Sequence, residues 1–262
     1  MASRFDFYYL IEIQYLGFRY HGWQFQPGLK TLQGMLEKTF NFLFKDEKFK
    51  ILGAGRTDAM VSADSAFFEL FYNQKLDLEH FQKDLDENLP SDIKVINIKE
   101  VDSKFNIIQD VSLKTYHYYF ASVNEKYPFA SPYMNCIHFP LDISKMKEAA
   151  QLFEGEHEFK YFMVGDTENK NTIRRIKESR IEENKELTAS FFPEESFVFK
   201  VIGKGFMRYQ IRLMMGALIR IGKNEIYLQD LENALKGNPP SFEKLNAAAS
   251  GLMVKNIDFK AL

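Results

Sequence analysis

The chain has 262 residues, 45% of them apolar, enough for one large domain or two halves sharing a core. Its formal net charge of −2 lacks the overall basic excess common in nucleic-acid binders. A single cysteine, Cys136, excludes an intrachain disulfide framework, and the scattered histidines show no metal-ligand spacing. No run approaches the ~18 apolar residues of a membrane span, and the first residues lack the apolar core of a signal peptide, so a cytoplasmic protein is expected.

Residues 7–15 alternate, with Tyr9, Ile11, Ile13 and Tyr15 on one side, and read as a strand. Gly17 and the aromatic-polar run 18–26 read as a loop ended by Pro27-Gly28. Arg19, His21, Trp23 and Gln24 suit two roles equally, facing a ligand or ordering a loop packed on the sheet. Thr31 is a helix N-cap, and Leu32, Met35, Leu36, Phe40 and Leu43 form the apolar stripe of a helix to about residue 44. The charged Lys45-Asp46-Glu47-Lys48 connects it onward. After the apolar Ile51-Leu52-Gly53-Ala54 comes Gly55-Arg56-Thr57-Asp58-Ala59, a Gly-flanked turn. Arg is a planar fork for phosphate oxygens, and Asp is an acceptor or a nucleophile. Taken alone, such a turn reads first as structural, with Arg56 and Asp58 paired or capping backbone. Residues 66–71 have strand character. Asp77 caps a second helix lined by Leu78, Phe81, Leu85 and Leu89 and stopped by Pro90, and 94–99 is another strand.

Residues 115–123 form an aromatic strand, with Tyr116, Tyr118 and Phe120 on one face and His117 and Tyr119 on the other. The proline-bearing stretch 126–140 reads as irregular. Asp142 caps a helix carrying Met146, Ala149, Ala150 and Phe153, and His157 beyond it reads as structural. The polar 166–171 reads as a loop. Arg174 and Arg175 suit phosphate contacts or plain strand charge equally. Strands are predicted near 174–182, 187–192 and 197–202. A helix over 206–221 has an apolar face of Met207, Ile211, Met214, Met215 and Leu218, with Arg208 and Arg212 neighbours on another. The span from Lys200 to Lys223 holds six basic residues and no Asp or Glu, a local bias that net charge conceals. A last helix at 228–236 ends at Gly237, and 254–259 closes the chain as a strand. The rhythm is that of an α+β protein with mostly antiparallel strands. Residues 1–104 make one half and 105–262 the other.

Gly55-Arg56-Thr57-Asp58-Ala59-Met60-Val61-Ser62-Ala63 resembles the signature of the TruA family of tRNA pseudouridine synthases, G-R-T-D-A-G-V-H-A. Met60 stands where the signature has Gly, and Ser62 where it has His. The likeness continues in family order. It takes in Tyr20-His21-Gly22-Trp23-Gln24, Thr31-x-Gln33, Asn88-Leu89-Pro90-x-Asp92-Ile93 and Lys114-x-Tyr116-x-Tyr118. Beyond these come Gly155-x-His157-x-Phe159, Phe206-Met207 with Gln210-Ile211-Arg212, and Ala247-Ala248-Ala249-Ser250-Gly251-Leu252. Phe105-Asn106-Ile107-Ile108 replaces the family's F-H-A-R.

The resemblance implies the pseudouridine synthase fold, two α/β halves with a mostly antiparallel central sheet, helices on its flanks and a cleft between the halves. It implies isomerisation of uridine to pseudouridine on the 3′ side of the anticodon arm of tRNA, by a homodimer without metal or other cofactor. Asp58 is then the catalytic residue and Arg212 its partner. Arg56, Tyr116 and Leu252 bind substrate: Arg56 beside the flipped nucleotide, Tyr116 stacked on its base, Leu252 as a pocket wall. Two other readings compete. One is a tRNA-binding or folding module that has lost catalysis, suggested by Met60 and Ser62. The other is a glycosidase-like enzyme, which needs a second carboxylate, with Asp64 and Glu69 the candidates.

Overall fold

A computed structural model describes residues 5–45, 47–165 and 171–260. The expected loop at 166–171 lies, apart from Asn171, outside these residues, as does Asp46 of the charged connector. In chain order the elements are β1 (Phe7–Tyr15), α1 (Leu32–Leu43), β2 (Lys50–Gly53), β3 (Ser62–Tyr72), α2 (Leu78–Asn88) and β4 (Ile93–Glu100). Then follow β5 (Val111–Ser122), β6 (Asn135–Ile137), α3 (Ile143–Gln151), β7 (Gly155–Glu158), β8 (Ile173–Glu183) and β9 (Phe197–Gly203). The chain closes with α4 (Gln210–Gly222), α5 (Leu228–Leu235) and β10 (Leu252–Phe259). It forms two compact units, Met1–Ser112 with Val254–Leu262, and Leu113–Met253. In each, mostly antiparallel strands are flanked by helices, the α+β class that the pattern of elements predicts.

In the first unit the strands run β4-β1-β3-β10, with β2 against β3. Tyr9, Ile11 and Ile13 pair with Leu70, Phe68 and Ala66, which puts these apolar side chains on one face. Helices α1 and α2 cover that face. Phe40 of α1 stacks on Phe81 of α2 at 6.0 Å, and Phe44 stacks on Tyr72 at 4.1 Å. Both helices start as their caps dictate. The Thr31 hydroxyl accepts from the Gly34 amide at 3.2 Å, and Asp77 accepts from the His80 amide at 3.2 Å.

In the second unit the order is β5-β9-β8-β7, and β6 pairs parallel with β5. The short β6 falls in the stretch predicted to be irregular. The predicted strand at 187–192 is instead a loop. Its cause is local: the Asn184 side chain donates from Nδ2 to the Leu187 carbonyl at 2.7 Å and accepts at Oδ1 from the Leu187 amide at 3.0 Å, turning the chain out of β8. Leu187 and Phe192 still pack on the buried cluster around Tyr119, so the apolar alternation there anchors a loop. Helix α4 also departs from expectation. It begins at Gln210, so Arg208 precedes it, and eleven of its thirteen residues are buried. There is no broad polar face, only half-buried Arg212 and Arg220.

Glu69 of β3 pairs with Leu10 and Leu52, on the sheet face away from α1 and α2. It is only 1% exposed. One carboxylate oxygen takes a backbone hydrogen bond from Ile107, while Oε1 has no partner among the described residues. Desolvation lifts its pKa to about 7, against the pull of the Ile107 bond and of Lys50. A raised folded-state pKa means a contribution to stability that is full below the unfolded value and lost as pH rises through about 7. Glu69→Gln removes that loss. Its urea stability relative to wild type is expected to improve by on the order of 1–3 kcal/mol between pH 5 and pH 8; a difference constant with pH would show that Glu69 does not titrate in the fold.

Candidate active site

Arg56 and Asp58 lie on the connection from β2 to β3, which has no regular structure of its own. Its shape comes from the loop after β1. The Met60 amide donates to the Tyr20 carbonyl at 3.0 Å, and the Trp23 amide to the Thr57 carbonyl at 3.1 Å. The Gly17 amide donates to the buried Ser62 hydroxyl at 2.9 Å, and the Tyr15 hydroxyl meets Thr57 Oγ1 at 3.1 Å. Gly17 and Gly22 are required by this approach. A Cβ on Gly17 would overlap the Val61 carbonyl, and one on Gly22, at φ +87°, would press on the Thr57 carbonyl. The held loop leaves Asp58 half-buried and Arg56 exposed.

The two departures from the signature fall at structurally demanding positions of this loop. Met60 sits at φ +67°, the left-handed region that a glycine occupies without strain. Ser62 caps the Gly17 amide. Of the residues suited to face a ligand, Trp23 does not: it is 5% exposed, its ring lies against Gly53 and 6.1 Å from Phe68. His21 and Gln24 are exposed, and Arg19 is ion-paired with Asp92.

Asp92 carries no chemical signal in the sequence beyond its place in the Asn-Leu-Pro-x-Asp-Ile segment of the resemblance. It accepts from the Tyr20 hydroxyl at 2.7 Å and from the Arg19 guanidinium, and its carbonyl accepts from the Leu16 amide at 3.0 Å. Burial alone would raise its pKa, but the hydrogen bonds of Arg19 and Tyr20 outweigh this and hold it below the usual carboxylate range.

In the second unit, Arg212 rises from the first turn of α4. Its Nε donates to the Ala247 carbonyl at 2.8 Å, and the Ala247 amide returns a bond to the Arg212 carbonyl at 3.2 Å. One turn on, a Cβ at Gly216 would overlap the Leu245 carbonyl, so this face of α4 is pressed against the 245–247 backbone. The same segment continues to Gly251, where a Cβ would lie 2.8 Å from the Tyr118 ring and the Tyr119 carbonyl, and to buried Leu252. The Tyr118 hydroxyl donates to the Ala248 carbonyl at 2.8 Å. Arg212 and the segment leading to Leu252 are thereby joined. Tyr116 is half-buried on β5, its ring edge-on to Phe206 at 5.1 Å and 81°. Two residues before it, burial lowers the pKa of Lys114.

Arg208 and Arg212 converge differently from the predicted helical spacing. Tyr209 adopts φ +64° ahead of α4, and both guanidinium groups lie over its ring, at 5.0 and 5.1 Å from the centroid. The basic stretch narrows in the fold. Lys200 pairs with Glu182 and Glu186 at 3.0 and 3.1 Å, and Arg220 and Lys223 with Glu225 at 2.9 and 3.9 Å. Lys204 and Arg208 are the exposed cations that remain. Arg174 folds back on the Asn171 and Ile173 carbonyls, both at 2.8 Å. His157 contacts the Glu154 carbonyl at 2.7 Å, in keeping with a structural role. The second carboxylate of a glycosidase-like site is not found at the two candidates. Glu69 is buried, and Asp64 is held by Lys255 and Gln14 at 2.6 and 2.5 Å.

The left-handed Met60 carries a test. Met60→Gly should remove steric strain of about 1–2 kcal/mol, partly offset by the extra freedom of glycine in the unfolded chain. A net gain of about 0.5–1 kcal/mol is expected in urea unfolding. Met60→Val, β-branched and poorly tolerated at positive φ, should instead destabilise. A loss of stability in the glycine variant would mean that the Met60 side chain contributes more than its backbone costs.

A family model described as tRNA pseudouridine synthase matches residues 149–260. Curated relatives match almost end to end. A tRNA pseudouridine synthase A from Mesoplasma florum is 37% identical over 97% of this chain and 100% of its own length. Proteins of the same name from Dictyoglomus thermophilum and Pseudothermotoga lettingae are 33% and 31% identical, over 95% and 96% of this chain and 98% and 99% of their own. With that extent of identity, and with the G-R-T-D-A loop held in a fixed shape, the chain belongs to the TruA family of tRNA pseudouridine synthases.

Proposed function

We propose that this protein isomerises uridine to pseudouridine in tRNA with Asp58 as the catalytic carboxylate. The observation that carries the reading is the Asp58 loop, whose backbone is pinned on both sides of Asp58, at Thr57 and at Met60, in a chain of this family. In the reaction the N1–C1′ glycosidic bond breaks, the uracil turns, and a C5–C1′ bond forms. The C5 proton is lost and N1 takes up a proton. Nothing is oxidised or reduced, so the reading calls for no cofactor.

The other roles follow from side-chain chemistry. A carboxylate shielded from water drifts to its neutral form unless a counter-charge holds it ionised. We assign that task to Arg212, whose Nε is already committed to Ala247, so the terminal amino groups would be what it presents. A base inside a stem cannot reach a carboxylate, so the nucleotide must be flipped out. Tyr116, its ring set edge-on by Phe206, would stack on the extruded uracil, a contact worth roughly 1–3 kcal/mol. Arg56, exposed beside Asp58, would hold the flanking phosphate or fill the vacated space. Leu252 would wall the pocket. The substrate site is the 3′ side of the anticodon arm, and the working form a cytoplasmic homodimer. No helix among the described residues is long and apolar enough to cross a membrane. Met60 keeps the left-handed backbone that glycine also adopts, and Ser62 caps the Gly17 amide, so neither argues for a module that has lost catalysis.

Tritium release from tRNA labelled at uridine C5 tests the reading. Wild type should release tritium, and Asp58→Ala should lower the rate roughly 10³-fold or more while still binding tRNA. Equal release by both proteins would remove Asp58 from the mechanism, and binding without any release would leave only the binding module. Separately, Lys204→Ala and Arg208→Ala should each weaken tRNA binding and lower the slope of log K against log salt by about 1. An unchanged slope would place those cations off the RNA path.

A further inference from the structure

Tyr20 is gripped at both ends. Its hydroxyl donates to Asp92 at 2.7 Å, and its carbonyl accepts from Met60, two residues past Asp58, at 3.0 Å. The tyrosine is 1% exposed, with the Lys30 ammonium 4.8 Å from its ring centroid, so its ring has little room to move. The turn it belongs to is fastened to Asp92 at three points: the Leu16 amide, the Arg19 guanidinium and the Tyr20 hydroxyl. The same turn is fastened to the Asp58 loop through Gly17 with Ser62 and through Tyr20 with Met60.

From this chain of contacts we infer that Asp92 and Tyr20 are positioning residues for Asp58, setting the height and angle of its loop without touching substrate. The inference rests on the assignment of Asp58 as the catalytic carboxylate. Asp92 is ionised at neutral pH, which makes the Tyr20 hydroxyl the donor and fixes the direction of the bond. Loss of that bond releases one of the fastenings between the turn and Asp92, and lets Tyr20, the Met60 amide and Asp58 with it shift. A displacement of the reacting group by about 1 Å costs up to roughly 10²-fold in rate, whereas Arg56 lies on the side of the loop that the Trp23–Thr57 bond still holds, and Lys204 and Arg208 belong to the other unit. The effect therefore falls on kcat and spares KM.

The test is single-turnover and steady-state tritium release by wild type, Tyr20→Phe, Asp92→Asn and the double variant, with Asp58→Ala run alongside. Tyr72→Phe is the matched control. It removes a tyrosine–carboxylate hydrogen bond of 2.6 Å, to Glu47, in the same unit and away from the loop. Tyr20→Phe and Asp92→Asn should each lower kcat about tenfold with KM for tRNA changed less than about twofold. The double variant should be no slower than the slower single, because the Tyr20–Asp92 bond is already lost or weakened in each single variant, and Asp92→Asn alone also weakens the Arg19 pair. Tyr72→Phe should keep wild-type kcat. The inference is overturned if the folded Tyr20→Phe variant keeps kcat within about twofold of wild type, if only KM moves, or if Tyr72→Phe loses as much. Should Asp92→Asn fail to fold, Tyr20→Phe decides alone. A wild type that releases no more tritium than Asp58→Ala would show that the catalytic reading itself has failed, and the positioning role with it.

Discussion

Two irregular loops, packed backbone to backbone, support the chemistry proposed for the first unit. The connection that carries Asp58 satisfies few of its own amides and carbonyls, and buried backbone groups left unpaired cost about as much as a lost hydrogen bond each. The loop after β1 supplies the missing partners at Thr57, Met60 and Ser62. That exchange demands an approach closer than any side chain allows, hence glycine at 17 and 22. The aromatic core under α1 and α2 then serves as the floor, with Trp23 reaching into it from the loop. Stability and the placement of the carboxylate proposed as catalytic are thus one problem in this unit, solved by the same contacts.

The second unit applies the same device to a helix. Helix α4 is buried nearly all round, and its register is set where Gly216 meets Leu245 and Gly222 meets Met146. An arginine on a surface helix would lose considerable side-chain entropy on being held still. Arg212 is held by Ala247, by the ring of Tyr209 and by the packing of its own helix. The left-handed residue at Tyr209 belongs to this arrangement: it turns the chain into α4 and places its ring within reach of two guanidinium groups. Non-glycine residues with positive φ cost energy and persist where surrounding contacts over-determine them. Met60 and Tyr209 both adjoin residues assigned to the reaction.

Charge shows why averages mislead. A net charge of −2 argues mildly against a polyanion as partner, and the run of basic residues from Lys200 to Lys223 argues for one. Neither statement survives unchanged once ion pairs are known. Lys200, Arg220 and Lys223 face glutamates, so their fields are largely cancelled locally. What remains for a phosphate backbone is a smaller set beginning with Lys204 and Arg208, and its effect on binding is read from the salt dependence.

The sequence by itself determined the helices and most of the strands, because caps and apolar periodicity act over a few residues: Thr31, Asp77 and Asp142 each start a helix where they stand. It also determined the family, since the motifs recur in order along the chain, and with the family the identity of Asp58 and Arg212 as candidates. Only the tertiary structure decided how those residues are held. The loop at 187–192 has strand-like alternation but is turned aside by Asn184. Arg208 has helical spacing from Arg212 but lies ahead of the helix. Asp92 carries no chemical signal until Tyr20 and Arg19 are seen to converge on it. Each of these depends on a hydrogen bond or a backbone conformation that apolar periodicity does not encode, and in the case of Asp92 on partners far along the chain. Pattern in a sequence reports what a segment can be, whereas long-range hydrogen bonding and close backbone approach report what it meets.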